Sequence, residues 1–336
     1  MAYRIPWETN FGRTYRITFG TREVKYRSVT VPDAVVFPLK LTSTTTVTEA
    51  MPSDALVIDN LSDPRGFTFN FESQQVASSS GADSEKSNLT LFNLDDESKR
   101  VLFQPNCVIT VEAGYEGQLT LCYTGDVTSI TPIHSPPDIS YKIQLSAAGN
   151  AIRNQMVNTH YDESISKKDI ILDMAQQFAG TSLATYGLND LNDRYKTGGT
   201  GFSGSMITNF DGYMRSQGLE YTFSNNKLFI IPYRLKGEDW VSFKRTNFTL
   251  DPDSIKQISD SSDNTKKSSS DVQAKIKKYQ INTYYSPIEV GQVVTVPTSE
   301  YLKKYAGTYI VKGRRVILQS KGNAWDMVLE VEQVAN

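Results

Sequence analysis

Apolar and polar residues alternate with a period of two through most of the first 150 positions. "TYRITFG" (14–20), "EVKYRSVTV" (23–31), "DALVIDN" (54–60) and "GFTFNFES" (66–73) read as strands, and in the last of these Phe67, Phe69 and Phe71 line one face. Turn formers separate them: "GT", "SDPRG" and "SSSGADSEKS". The threonine-rich "LTSTTTVTEAMPSD" (41–54) fits an edge strand or a loop. The densest pattern lies at 89–130. "LTLFNL" is a strand, and "DDESKRVLF" is a short helical turn with acids first and bases after, as the helix dipole favours. Pro105-Asn106 is expected to end that turn. "CVITVEAGY" and "LTLCYTGDVTSI" then form two strands around Glu116-Gly117, and "SYKIQLSAAG" (140–149) is another.

The period changes to helical in the middle. "ISKKDIILDMAQQFAG" (165–180) places Ile170, Ile171, Met174 and Phe178 on one face. Ser166 and Asp169 have capping-box spacing, with Asp where Glu or Gln is commoner, and Ile165 with Ile170 can staple the helix start. Gly180 fits the C-cap. A second helix is predicted over Ser205–Gln217, with Met206, Ile207, Phe210, Tyr213 and Met214 on its face and Gly218 after it. A hairpin follows: Leu219, Tyr221 and Phe223 alternate, "SNN" turns, and "KLFIIP" returns.

The last third is again β. "DWVSFKR" and "FTLDP" precede a polar tract, "SDSSDNTKKSSSD" (259–271), which reads as a mobile loop. "AKIKKYQINTYY", "GQVVTVPT", "GTYIVKGRRVILQS" and "AWDMVLEVEQV" are strands. The lysines of "KIKKY" (275–279) suit a solvated edge strand. The expected fold class is mainly β with an α/β insert. Two small β-barrels, over 1–150 and 236–336, would flank a section of two helices and a hairpin over 151–235, with 1–53 unassigned.

Charge narrows the function classes. Thirty-five basic residues face 37 acidic ones, so the clear basic excess of a general nucleic-acid binder is missing. The start, "MAYRIPWETN", has no apolar signal segment, and no apolar run reaches the roughly 20 residues needed to span a membrane. Cys107 and Cys122 flank a hairpin pattern; buried free thiols are the expected reading and a disulfide the alternative. His134 and His160 have no metal-ligand spacing with another His, Cys or carboxylate, and no G-x-S-x-G elbow is present. Asp95, Asp96 and Glu97 read as a solvated first turn rather than as paired catalytic acids. No catalytic, cofactor-binding or metal-binding residue is therefore assigned.

One conspicuous motif remains. "KTGGTGFSG" (196–204) spells G-x-G-x-x-G through Gly199, Gly201 and Gly204, with Glu220 near the distance of a ribose-binding acid. A dinucleotide loop needs a buried apolar strand before it, and "LNDLNDRYKT" is not one. Ser205 also stands where a phosphate-binding loop needs Lys. The stretch is expected to be a pliable connection into the second helix.

Residues 89–130 resemble the N-terminal tube domain of phage tail and baseplate hub proteins. The resemblance rests on Leu91-Phe92-Asn93-Leu94, "DDESKRVLF", Val111-Glu112-Ala113-Gly114-Tyr115 and Tyr123-Thr124-Gly125-Asp126-Val127. "IQLSAAGNAIRN" is similar to the next strand and loop, although Gly149-Asn150 stands where many members carry Asp-Gly. The order of later elements also fits, through "SPIEVGQVVTVPTSEYLKKYAGTYIVKGRRVILQSKGNAWDMVLEVE". The resemblance implies a structural, non-enzymatic homotrimer with two tube-like barrels per chain. It implies a ring that joins a six-fold tail tube to a three-fold central spike, with DNA leaving through the lumen without specific binding. The implied neighbours are the tail tube protein, the central spike protein, baseplate proteins and the tape measure; the implied place is the virion, after assembly in the host cytoplasm. No cofactor is implied. The alternative is a glycan-binding or glycan-hydrolysing tail-associated protein, with Asp95 and Glu97, or Asp190 and Asp193, as candidate acids. A hub-like spike protein of a related contractile injection system is a third reading, with the same fold but another payload.

Overall fold

A computed structural model describes residues 7–21, 55–63, 66–78, 85–147, 155–178, 182–185, 194, 198–225, 227–232, 247–261 and 277–333. The period-two segments form strands wherever they are described. In the first stretch these are β1 (Arg13–Thr21), β2 (Leu56–Asp59), β3 (Phe69–Val76), β4 (Glu85–Phe92), β5 (Cys107–Tyr115), β6 (Thr120–Ser135) and β7 (Asp138–Ser146). Between β4 and β5 lies helix α1 (Asp96–Leu102), whose N-cap Asp95 accepts the backbone N–H of Ser98. The helix stops at Phe103, three residues before Asn106 turns the chain with φ 57°.

β8 (Met156–Tyr161), helix α2 (Lys167–Gln176), β9 (Ser182–Thr185), β10 (Thr200–Ser205), helix α3 (Met206–Ser216), β11 (Leu219–Ser224) and β12 (Lys227–Pro232) make the α/β insert. Ser166 caps α2 as its spacing predicts, accepting from the Asp169 N–H at 3.1 Å while its hydroxyl donates to the Asp169 carboxylate at 2.7 Å. Ile170, Ile171, Met174 and Phe178 pack with Phe210, Met214, Tyr221 and Phe223 in the insert's own core. Three rings, Phe178, Phe210 and Phe223, meet edge to face.

The final stretch holds β13 (Asn247–Thr249), a 3-10 turn at Pro252–Ser254, β14 (Ile255–Asp260), β15 (Lys278–Tyr284), β16 (Val293–Val296), β17 (Gly307–Gln319) and β18 (Trp325–Gln333). Two expectations change here. Residues 259–261, read as the start of a loop, belong to or abut β14, which pairs with β15; 262–276 lie outside the described residues. β15 is no edge strand: β14 covers one side and β18 the other, and only Lys278 of the lysine-rich run's last part is an exposed strand residue. The segment "EVKYRSVTV" and "DWVSFKR" also lie outside the described residues.

One sheet runs β14-β15-β18-β17-β3-β4-β7-β6-β5-β1-β2, with β16 pairing β17 and β13 pairing β16. The chain is therefore mainly β with a small α/β insert. The first and last stretches meet at a seam, β3 against β17, in antiparallel register from Val76↔Gly313 to Asn70↔Gln319. They also share one apolar core, in which Phe69, Phe71, Tyr123 and Leu89 from the first stretch lie with Val316, Leu318, Trp325 and Met327 from the last. Side-chain alternation sends these residues inward and leaves the other face polar.

Gly114, in the "AGY" of the first stretch, is required by close approach. A Cβ there would stand 2.1 Å from the Gln118 carbonyl and 3.0 Å from the Trp7 ring. Trp7 in turn lies edge-on to Tyr115 at 5.4 Å, so the motif builds one corner of the core.

Candidate assembly interface

The outward face of the sheet is built by register. Across four neighbouring strands, Lys142, Thr90, Asn70 and Gln319 form one row, and Gln144, Asn88, Glu72 and Ile317 a second. Lys86, Gln74 and Arg315 form a third. Amides and hydroxyls dominate, and the few charges are of both signs: Arg315 pairs with Glu72 at 2.7 Å. This surface carries many weak hydrogen-bonding groups and a small basic excess, Lys142, Lys86 and Arg315 against Glu72.

At one end of the sheet the β6–β7 hairpin leaves the body. Past Asp126, β6 has no strand partner but β7 among the described residues, and residues 131 to 139 are exposed on both faces. Ile133 and Ile139 are exposed there, as is Phe103 beside Tyr141 at its base. Asn93 fixes the base: its amide donates to Asp138, and it exchanges hydrogen bonds with Ile139. Exposed apolar residues on a projecting hairpin make it a candidate contact element. Sequence alternation predicts β6 to Ile130; its continuation through Pro132 to Ser135 is carried by an apolar–polar rhythm too short to read alone.

The three parts of the chain meet at a buried polar node. Arg314 of β17, only 2% exposed, donates to Gln75 Oε1 of β3 at 2.6 Å. It also donates to the Ile288 carbonyl at 2.9 Å and to the Cys122 carbonyl of β6 at 2.9 Å. Ser224, at the tip of the β11–β12 hairpin, donates to the same Gln75 oxygen. Asn225 accepts the Thr124 N–H of β6 at 3.1 Å and donates to Glu289 at 2.8 Å. Nearby, Glu220 of the insert pairs with Lys312 of β17 at 2.9 Å, both side chains largely buried. Burial raises the Glu220 carboxyl, against the opposing pull of Lys312.

Glu85 borders this node. Burial raises its carboxyl above the usual range, although the Tyr123 hydroxyl, the Ala147 N–H, the Ser87 hydroxyl and the Arg314 charge all oppose that. A carboxyl raised in the folded state contributes stability that is fully present below its unfolded value and lost as pH rises through the folded one. Urea midpoints are therefore expected to fall as pH rises from about 4.5 upward, and Glu85→Gln to flatten that fall. A Glu85→Gln protein with the same pH slope as the parent contradicts this.

The sequence candidates fall as follows. Asp95 caps α1, and hydrogen bonds from Ser98 hold its carboxyl below the usual range. Asp96 and Glu97 are exposed in the first turn of the same helix. Asp190 and Asp193 lie outside the described residues. His134 sits on the exposed arm and His160 on β8, opposite Gly201. Cys107 and Cys122 are free thiols, both buried, and burial pushes the Cys122 thiol up to about 11. Among the described residues no group of three His, Cys, Asp or Glu side chains is placed to hold a metal ion, and no helix is long and apolar enough to cross a membrane.

The glycine motif is corrected. Thr200–Ser205 is a strand, β10, paired with β8 along its whole length from Thr200↔Tyr161 to Ser205↔Met156, and not a pliable connection. The glycines hid it because they lack the apolar alternation by which strands are read. Gly199 is the residue the site demands: φ is +69°, and a Cβ would stand 1.9 Å from the Tyr161 carbonyl. The would-be ribose acid, Glu220, is occupied by Lys312. The node itself was not legible, because its members come from positions 75, 122, 224, 225, 289 and 314.

Residues 86–231 match a family model described as "Baseplate hub gp41". No curated protein matches the chain. Among solved structures, the E. coli c3393 protein covers 80% of this chain with 74% of its own length, at 10% identity and a TM-score of 0.54. It is described as a type VI secretion component with structural similarity to the T4 bacteriophage tail proteins gp27 and gp5. A 43 kDa tail protein of prophage MuSo2 from Shewanella oneidensis covers 82% of this chain and 94% of its own, at 11% identity and a TM-score of 0.51. A Francisella PdpA-VgrG complex covers 96% of this chain at 11% identity and a TM-score of 0.54, and this chain spans 58% of that one. The matched family segment includes the whole of 89–130, so the resemblance read from the sequence to phage baseplate hub proteins is borne out.

Proposed function

We propose that this chain is the structural hub at the tip of a phage tail, three copies of which close into a ring. Each copy would supply two tube-type β units, over 1–150 and 236–336, with 151–235 as the insert. Three copies then present six similar units, which matches a six-fold tail tube on one side and a three-fold central spike on the other. The observation that carries this reading is the β3–β17 seam, where the two β stretches stand side by side in one sheet within one chain. A ring made of such chains repeats that neighbourhood between chains. The sheet also ends in β2 on one side and β14 on the other, strands with one free edge each among the described residues. Free edges pair with other strands, so adjacent copies have a ready means of joining.

The amide-rich outward face suits a lumen that DNA crosses. A strongly basic lining would hold phosphates through counterion release, whereas amides and a hydroxyl outnumber the three basic residues and one acid in these rows. The exposed β6–β7 arm is the natural contact toward a tube, spike or other baseplate protein. Catalysis has no part in this reading, and the protein acts in the virion. Light scattering of the purified chain, alone and with its tail partners, tests it. A species of three times the 37.6 kDa chain mass is expected in the assembled state. A strict monomer under every partner condition, with polysaccharide-hydrolysing activity, would overturn it.

A further inference from the structure

We propose that the Ser224–Asn225 turn of the insert is a key that locks the angle of the β3–β17 seam, with Gln75 receiving Ser224 and Arg314 as the residue that positions Gln75. The mechanics rest on the contacts alone; their purpose rests on the hub reading. Among the described residues, β3–β17 is the one strand pair that joins the two β stretches. A single ladder leaves twist free over a range of about 10–35° between neighbouring strands. A ring with a fixed number of units needs that angle set.

Both ends of the seam carry a clamp. At the Asn70↔Gln319 end, Arg13 of the first stretch donates to the Gly322 carbonyl at 2.7 Å and the Asn323 carbonyl at 2.8 Å in the last. At the Val76↔Gly313 end the ladder continues by one bond, Ala77 N–H to the Lys312 carbonyl, and then Ser78 leaves to pair with Tyr221 of the insert. There the hairpin tip enters. Asn225 holds Thr124 of the first stretch with its oxygen and Glu289 of the last with its nitrogen. Ser224 reaches Gln75, which Arg314 also holds. One turn thus touches both sides of the seam.

The chemistry favours a lock over simple filling. Apolar contact at this junction is small, a cluster of Ala77, Ile231, Val290 and Ile310. Directional hydrogen bonds to a buried guanidinium admit one arrangement, whereas apolar packing of equal volume tolerates several. Asn225 is held at φ +50°, a left-handed conformation in which Gly is equally at ease. Asn225→Gly therefore removes the key's side chain without straining the turn.

Hydrogen exchange on the full chain tests this, with Asn225→Gly and Arg314→Lys as the two variants. The expected result is exchange about tenfold faster at seam amides of 73–77 and 312–316, with the helices of the insert as protected as in the parent. Faster exchange confined to the turn at 224–227 would overturn the proposal. Uniform loss of protection across the chain in both variants would overturn it too, since a lock acts on the seam and not on the whole fold. Assembly separates this idea from the hub reading. A parent that never trimerises counts against the hub reading while the exchange result still decides the lock. A parent and variants that close into identical rings, with identical seam exchange, defeat the lock while the hub reading stands.

Discussion

Arg314→Ala is expected to lower the stability of the chain by about 3–5 kcal/mol, the largest single-residue effect in the polar part of the interior. The loss follows from what remains behind. Gln75 Oε1, the Ile288 carbonyl and the Cys122 carbonyl keep their buried positions and lose a charged donor each. A buried acceptor left without a partner costs about 1–3 kcal/mol, and water entering the new space recovers part of it. The Glu85 carboxyl also loses a nearby positive charge, which raises it further. Equilibrium urea unfolding measures the change. A loss below about 1 kcal/mol would show that the node relaxes freely and that the contacts around Arg314 are not a fixed arrangement.

Gly199→Val is expected to cost about 2–4 kcal/mol, combining a left-handed backbone with overpacking. The added Cβ meets a backbone carbonyl, that of Tyr161, at 1.9 Å, and a backbone atom cannot swing aside as a side-chain tip does. The strain falls where β8 and β10 begin to pair, next to Tyr161, whose ring packs on Phe202 and whose hydroxyl donates to Asp173 of α2. The insert core is therefore expected to loosen while the large sheet stays intact. A thermal scan followed by circular dichroism, with Gly198→Val as the control, reads it. Gly198 also has a positive φ, but a Cβ there meets nothing within 4 Å, so it isolates the backbone part of the cost. Equal losses in the two variants would show that the contact with Tyr161 is not what Gly199 relieves.

Much of the fold was legible because burial and period coincide. Phe69 and Phe71 alternate with polar residues and lie inward; Ile170, Ile171 and Met174 recur at helical spacing and lie in the insert core. Cap chemistry located the start of α2 at Ser166. The misses have physical reasons. Four of the six residues of β10 are glycine or serine, which gives no apolar rhythm, yet its backbone pairs with β8 at every step. β14 was lost in a polar tract because its side chains are only partly buried. The lysines near 275–279 suggested an edge, but a strand's neighbours depend on the order of the sheet, which local pattern does not encode. The assembly features divide in the same way. The hub resemblance lay in one continuous stretch, whereas the polar node joins residues as far apart as 239 positions, Gln75 and Arg314.

The most direct test of the account is a three-dimensional map of the assembled tail tip with this chain traced. A trimeric hub gives three copies around one axis, each contributing two neighbouring units to a six-unit ring, with Asn70, Asn88, Gln74 and Gln144 of the outward face toward the lumen. A map with six copies in the ring, or with that face buried against another protein and no passage through the centre, would contradict it.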